Sequence, residues 1–268
     1  MTTLHVHDAL IGPDYAQSGP VKLDIDANGY IASIEPAPMA DGPARLALPS
    51  MVDAHNHARP LSPTSFGCSG QPLEQWLPHL ATMPPVDAYL ATSASLARSL
   101  RGGATSIMIH LTRPMGLKPL PDEARDIARA AADLGVSIGL AVAMRDRNPL
   151  VYGDQEALLE RLDPETAALV RDLWLKPTPS IEHQLTLVDD VAEALADQPH
   201  VDVQYGPNGV QWCSDALLGA IAKASARTGR RVHMHLLETK PQRDWAESTY
   251  PDGLIAHLEA IGILSDRL

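Results

Sequence analysis

The 268-residue sequence is poor in cysteine, aromatic residues and positive charge: it holds Cys68 and Cys213, one phenylalanine among 4% aromatic residues, and 21 lysines and arginines against 33 acids. Two isolated cysteines supply neither a disulfide framework nor a cysteine zinc site. A formal charge of −12 with no basic run argues against charge-driven binding to nucleic acid or to an anionic membrane. No apolar run approaches the ~20 residues of a membrane span. The opening MTTLHVHDALIGPD lacks the basic and apolar regions of a signal peptide, so a cytoplasmic protein is expected. The glycine-rich phosphate loops of nucleotide-binding folds are missing. So is the cysteine-containing signature of the zinc deaminases that act on nucleic acid bases. With 45% apolar and 20% charged residues, the composition fits a folded chain of one or two domains rather than disorder.

What is present is a change of pattern along the chain. Residues 4–11 and 21–37 read as short strands, the second broken at Asn28-Gly29, where both residues tolerate the positive φ of a tight hairpin. From about Leu46, short apolar runs alternate with segments of helical period. Strands are expected within 46–58 and at 105–111, 137–144, 201–207 and 230–238, and helices at 87–101, 121–135, 155–173, 184–196, 213–229 and 253–264. The intervening 59–86 is too rich in proline for a regular element of any length and is a lid candidate. Five βα units imply an α/β fold with a parallel sheet. Without a phosphate loop, a TIM-type (β/α) barrel is favoured over a doubly wound sheet, although eight strands would be needed to close it. The expected organisation is a small β-rich segment at 1–45 followed by a partial barrel at 46–268, truncated after its fifth unit.

Histidine supplies the chemistry. His55 and His57 flank Asn56 at the end of the first barrel strand, and a spacing of two on extended chain turns both imidazoles to one side. Two ligands of one metal would stand this way, and so would two histidines in an ordinary polar loop. The fifth strand adds His235 as a third imidazole, with Glu238 three residues on. A turn at the strand end would bring that carboxylate over the same mouth, where it could move a proton. His233, deeper in the strand, reads as an interior hydrogen-bonded residue or as a partner standing behind the ligands, and is left out of the ligand set.

PSMVDAHNHA at 49–58 and HMHLLET at 233–239 together resemble the amidohydrolase superfamily, in its cytosine-deaminase-like and chlorohydrolase-like amino-heterocycle deaminase branch. YGPNGVQWCSDALL at 205–218 is similar to the fourth-strand loop and helix start of the same branch. The resemblance implies one divalent metal, zinc first and iron second, held by His55, His57 and His235, with Glu238 shuttling a proton between the attacking water and the leaving amine. It also implies two later features without a counterpart here, a sixth-strand histidine and an eighth-strand aspartate. The function expected is metal-dependent hydrolytic deamination of an amino-substituted nitrogen heterocycle, a small-molecule substrate. The alternative is a catalytically incomplete fragment or an inactive binding protein. Open sheet edges would be covered either by further chain or by a homo-oligomer.

Gln211 and Trp212, before a helix start, have two readings: binding a flat ring by hydrogen bond and stacking, or packing of the indole under the loop. Trp76 shares that ambiguity. Arg145, Asp146 and Arg147 either recognise a polar substrate, Arg145 foremost, or pair among themselves. His110 either faces the site or is capped or solvent-facing, and Asp53 reads as an orienting or structural carboxylate. His5, His7, His79, His183, His200 and His257 receive no role.

Overall fold

In the computed structural model, which describes every residue except Met39, Ala40, Pro60 and Pro149, the amino-terminal unit Met1–Met51 is built from six short strands. They are β1 (Thr2–Val6), β2 (Asp8–Ile11), β3 (Ala16–Ser18), β4 (Val21–Ile25), β5 (Ile31–Pro36) and β6 (Leu46–Ala47). The hairpin expected at Asn28-Gly29 joins β4 to β5, with Gly29 at φ 85°. Segment 4–11 is two strands rather than one. The chain breaks at His7, so that β1 enters a sheet of order β1-β4-β5 and β2 a sheet of order β3-β2-β6. Val6, Ala9, Val21 and Leu23 form the small core. Leu46 and Ala47 pair in parallel with Asp8 and Ala9 of β2, and for that reason the unit ends at Met51, later than the expected division at 45/46.

The second unit, Val52–Leu268, is an α/β layer structure. Its sheet has the order β10-β9-β8-β7, from β7 (Met51–Asn56), β8 (Ala104–Leu111), β9 (Ser137–Met144) and β10 (Val201–Pro207), with β8, β9 and β10 in parallel register. The inner strand β9, SIGLAVAM, is apolar after its exposed first residue Ser137 because it is covered on both faces. Helices α1 (Leu73–Trp76), α2 (Ala88–Arg101), α3 (Leu120–Leu134), α4 (Gln155–Leu159), α5 (Pro164–Trp174), α6 (Ile181–Ala194), α7 (Asp215–Thr228), α8 (Lys240–Thr249) and α9 (Leu254–Ala260) surround or follow it. Leu96 of α2, Ile127 of α3, Val188 of α6, Leu217 and Ile221 of α7 and Leu258 of α9 join Ile109, Leu140 and Tyr205 of the sheet in one core. None of these helices is long and apolar enough to cross a membrane, among the described residues.

Three expectations need correction. The helix expected over 155–173 is two, because Asp163 caps a new helix at the amide of Thr166 and Pro164 takes its first turn. A helix that was not expected, α8, starts at Thr239, whose hydroxyl accepts from the Gln242 amide while Gln242 Oε1 accepts from the Glu238 amide. That is a capping box shifted by one residue. The strand expected at 230–238 is reduced to a parallel bridge between Val232 and Tyr205, held by the amide of Tyr205 donating to Arg231 and that of His233 donating to Tyr205. On its other side the Val232 amide donates to the Arg267 carbonyl (2.7 Å). The short helical turns Pro63–Phe66 and Leu77–Thr82, with α1 between them, are the only regular structure described within 59–86.

Close strand packing depends on Gly206. A Cβ there would stand 2.7 Å from the Val142 carbonyl oxygen, a backbone atom that cannot give way. Gly206→Ala is therefore expected to lower stability by about 1–3 kcal/mol. Gly219→Ala, in α7 with open space around its Cβ, is expected to raise it by about 0.5–1 kcal/mol. Urea unfolding of the two variants checks the opposite signs.

Candidate metal and active site

The carboxyl ends of the strands converge. β7 delivers His55 and His57, β8 ends at His110 and Leu111, the Asn208 carbonyl follows β10, and His233 and His235 follow the Val232 bridge. Asn56, between the two histidines of β7, donates to Asp53 (2.8 Å), and its amide oxygen accepts from the Ala58 amide (2.8 Å) and the Ser95 hydroxyl (3.2 Å). Ser99 also donates to Asp53 (2.8 Å). Asp53 is thus the anchor that ties this strand end to α2. Ala58 then takes a positive φ of 50°, a costly conformation for a residue with a side chain, and the chain leaves the site.

His55, His57 and His235 each offer a ring nitrogen, all within 4.8 Å of one another. The rings of His57 and His235 are nearly parallel (15°, centroids 5.3 Å apart), and His55 stands edge-on to both at 4.8 and 4.9 Å. His57 Nδ1 donates to the His110 carbonyl and His235 Nδ1 to the Asn208 carbonyl, each at 2.8 Å. A ring that donates through Nδ1 keeps its lone pair on Nε2. His55 Nδ1 lies 3.0 Å from His233 Nε2, one ring donating to the other. Burial pushes the imidazole of His57 down to about 3 and that of His235 to about 4, and it lowers His55 and His233 as well. Neutral imidazoles with directed lone pairs are the donors a divalent ion of intermediate softness takes, so the set fits such a metal.

Beside the three rings is a cavity of about 330 Å³, lined among others by His57, His235, Glu238, Arg145, Trp212 and Trp76. Leu237, at φ 52°, makes the turn that carries Glu238 to this cavity from the end of the fifth segment. Burial pushes the Glu238 carboxyl up, Glu74 adds to the rise, and Arg59 opposes it. Glu74 comes from the 59–86 segment and accepts a hydrogen bond from the Thr239 hydroxyl at 2.6 Å.

A family profile, amidohydrolase, matches residues 46–266. The chain belongs to the amidohydrolase family. Among relatives of this amidohydrolase, the 8-oxoguanine deaminase of Pseudomonas aeruginosa is 25% identical over 85% of this chain and 48% of its own length. The 5'-deoxyadenosine deaminase of Methanospirillum hungatei is 22% identical over 96% and 47%. The atrazine chlorohydrolase of Arthrobacter aurescens, crystallised with zinc, superposes with a TM-score of 0.71 at 18% identity, over 100% of this chain and 59% of that one, which shows a shared fold. The chain spans about half the length of the curated relatives it matches.

Of the expected site residues in this amidohydrolase, His55, His57 and His235 meet, and Glu238, Arg145 and Trp212 line the adjoining cavity with Trp76. Gln211 does not line that cavity; it lies against a second one with Trp245 and Tyr152. Asp146 takes neither expected role, because it accepts from the Ser214 amide and hydroxyl at the start of α7. His110 is fully buried and donates through Nε2 to the Pro207 carbonyl (3.3 Å), with Nδ1 free of partners. Sequence reasoning passed over Arg59, Arg113 and Trp174, which also line the cavity. Arg59 was the legible one, two residues beyond His57. Arg113 and Trp174 arrive by tertiary packing alone.

Burial holds His57, His110 and His235 neutral well below the ordinary imidazole value of 6.5, His110 down to about 2. Between pH 6.5 and about 4 the unfolded chain therefore takes up protons that the folded chain does not, and stability falls as pH falls. In metal-free protein, His110→Gln is expected to flatten the slope of unfolding free energy against pH in this window by about 1.4 kcal/mol per pH unit, one proton's worth. Urea titrations at several pH values measure it.

Proposed function

We propose that the chain carries the metal-binding part of a hydrolytic deaminase acting on an amino-substituted nitrogen heterocycle. The observation that supports it best is the convergence of His55, His57 and His235 beside a cavity reached by Glu238. In this reading β7 to β10 and the Val232 bridge are five consecutive strands of a (β/α) barrel. A divalent ion, zinc as in the crystallised chlorohydrolase, held by the three histidines, supplies a Lewis acid and an acidified water. Glu238, with its raised affinity for a proton, takes one proton from the attacking water and delivers it to a ring nitrogen, then takes the remaining hydroxyl proton of the tetrahedral carbon and delivers it to the departing amine. The C–O bond forms, the C–N bond breaks, and ammonia leaves. Arg145 donates to acceptors on the ring, and the indoles of Trp212 and Trp76 flank it. The relatives' substrates, 8-oxoguanine and 5'-deoxyadenosine, define the range of rings to try first.

His55 offers its Nε2 lone pair only when its Nδ1–H donates to His233 Nε2, which makes His233 the residue that fixes this tautomer. Equilibrium dialysis against zinc is expected to show one tight equivalent on the wild-type chain. His57→Ala and His235→Ala should abolish it, and His233→Leu should weaken it roughly tenfold. Unchanged zinc binding in His57→Ala would sink the ligand assignment.

A second reading, a chain that binds metal without turnover, draws on the reduction of the segment around Val232 to a single β-bridge. Ammonia release from a panel of aminopurines and aminopyrimidines separates the two. Turnover that Glu238→Gln lowers by roughly 10²–10⁴ supports the deaminase; a full zinc site with no ammonia supports the second reading.

A further inference from the structure

Among the described residues three arginines are half-buried: Arg59, Arg230 and Arg267. Arg230 pairs with Asp189 and Arg267 with Asp266. The guanidinium of Arg59 has neither an ion pair nor a hydrogen bond with any described residue, and the bond that Arg59 accepts from Arg98 goes to its backbone carbonyl. A cation drawn partly out of water is costly until an anion pairs with it. Burial weakens the hold of Arg59 on its proton, and Glu238, the one carboxylate that offsets this, does so from beyond ion-pair distance. Arg59 keeps part of its surface accessible and lines the cavity beside the three histidines. Its charge lowers the proton affinity of His55, His57, His235 and Glu238, which places the guanidinium at the site itself. Arg113, a second lining arginine, is already engaged, donating to the Leu80 and Met83 carbonyls. With Arg145, the cavity wall holds three arginines against the single carboxylate of Glu238, in a chain whose formal charge is −12.

We propose that Arg59 selects the substrate: the heterocycle this cavity takes carries a carboxylate on its ring, and the Arg59 guanidinium binds that group. The amino substituent of the ligand rests on the deaminase reading, whereas its carboxylate rests on Arg59. A planar fork of N–H donors matches the two in-plane oxygens of a carboxylate and forms two parallel charge-assisted hydrogen bonds with them. A phosphate, with three acceptor oxygens and nearly two charges, asks for more donors than one half-buried fork supplies. Leu73, Leu77 and Leu80 of the 59–86 segment, with the indoles of Trp76 and Trp212, make the rest of the wall apolar and suited to the faces of a ring. A volume of about 330 Å³ is small for a ligand site and fits a compact ring system with short substituents.

Isothermal titration at neutral pH tests the proposal, with the 4- and 5-carboxylates of 2-aminopyrimidine against the matching carboxamides, which have the same shape without the charge. The full chain is titrated both zinc-loaded and after treatment with a chelator. One carboxylate is expected to bind about tenfold or more tighter than its carboxamide in both forms. Arg59→Gln should weaken that carboxylate about 10–100-fold and leave the carboxamide within about twofold. Arg59→Lys, which keeps the charge and loses the fork, should restore part of the preference, and it also serves if Arg59→Gln fails to fold. A preference that survives Arg59→Gln, or that exists only with zinc, would give the carboxylate to other groups and overturn the proposal. Equal binding of both probes by the wild-type chain, no saturable binding of either carboxylate, or equal weakening of both probes by Arg59→Gln would make Arg59 a structural charge and overturn it too. Ammonia release tells the two failures apart. A chain that favours the carboxylate through Arg59 and releases no ammonia from any ring refutes the deaminase reading alone; ammonia released as fast from the carboxamide as from the carboxylate refutes the role of Arg59 alone.

Discussion

Two hydrogen bonds from imidazole Nδ1 to backbone carbonyls, His57 to His110 and His235 to Asn208, decide what the rest of this molecule is for. A neutral imidazole is ambiguous until one of its nitrogens is occupied, and a carbonyl at a strand end occupies it permanently. The carbonyls are themselves fixed, because each lies at the end of a strand whose register is set by several ladder bonds. The parallel sheet thus acts as a jig for nitrogen lone pairs. Apolar packing over β8 and β9 provides the rigidity, and burial keeps the rings uncharged.

Much of this was legible in the residues. The period-two repeats His55/His57 and His233/His235 point two pairs of rings to common sides, and the strands expected at 137–144 and 201–207 coincide with β9 and β10 residue for residue. The first is the plainer of the two, because a strand covered on both faces reads as an apolar run, whereas 201–207 carries Asp202 and Gln204. The opening segment was harder to read: β6 is two residues long and belongs to its sheet only through pairing with β2, a non-local fact. The fifth strand was over-read, since alternation in 230–238 describes which way side chains turn and says nothing about whether a neighbour stands on each side. Helix α8 was missed because Pro241 in its first turn looks like a breaker when it is a start.

The site also stores strain on both sides. Ala58 and Leu237 take positive φ immediately after His57 and immediately before Glu238. Neither is glycine, so each costs about 1 kcal/mol or more and is held there by the tertiary structure around it. Ala58 is held by the Asn56 side chain accepting its amide. Leu237 is held from the far side, where the amide of Glu238 donates to Gln242 and the Thr239 hydroxyl donates to Glu74. The segment 59–86 therefore does more than cover the cavity, because one of its carboxylates braces the turn that presents Glu238.

The contact between His55 and His233 spans 178 residues of sequence. The two rings come from opposite ends of the second unit, and the segment that carries His233 and His235 is held by its bridge to β10, by the Val232 amide donating to Arg267 and by His235 donating to the Asn208 carbonyl. Contacts of such separation form late, since the chain loses the entropy of closing the loop before it gains the contact. The three-histidine constellation draws on both ends of the second unit, so an ion that joins these rings would act as a clasp between its first strand and its far segment.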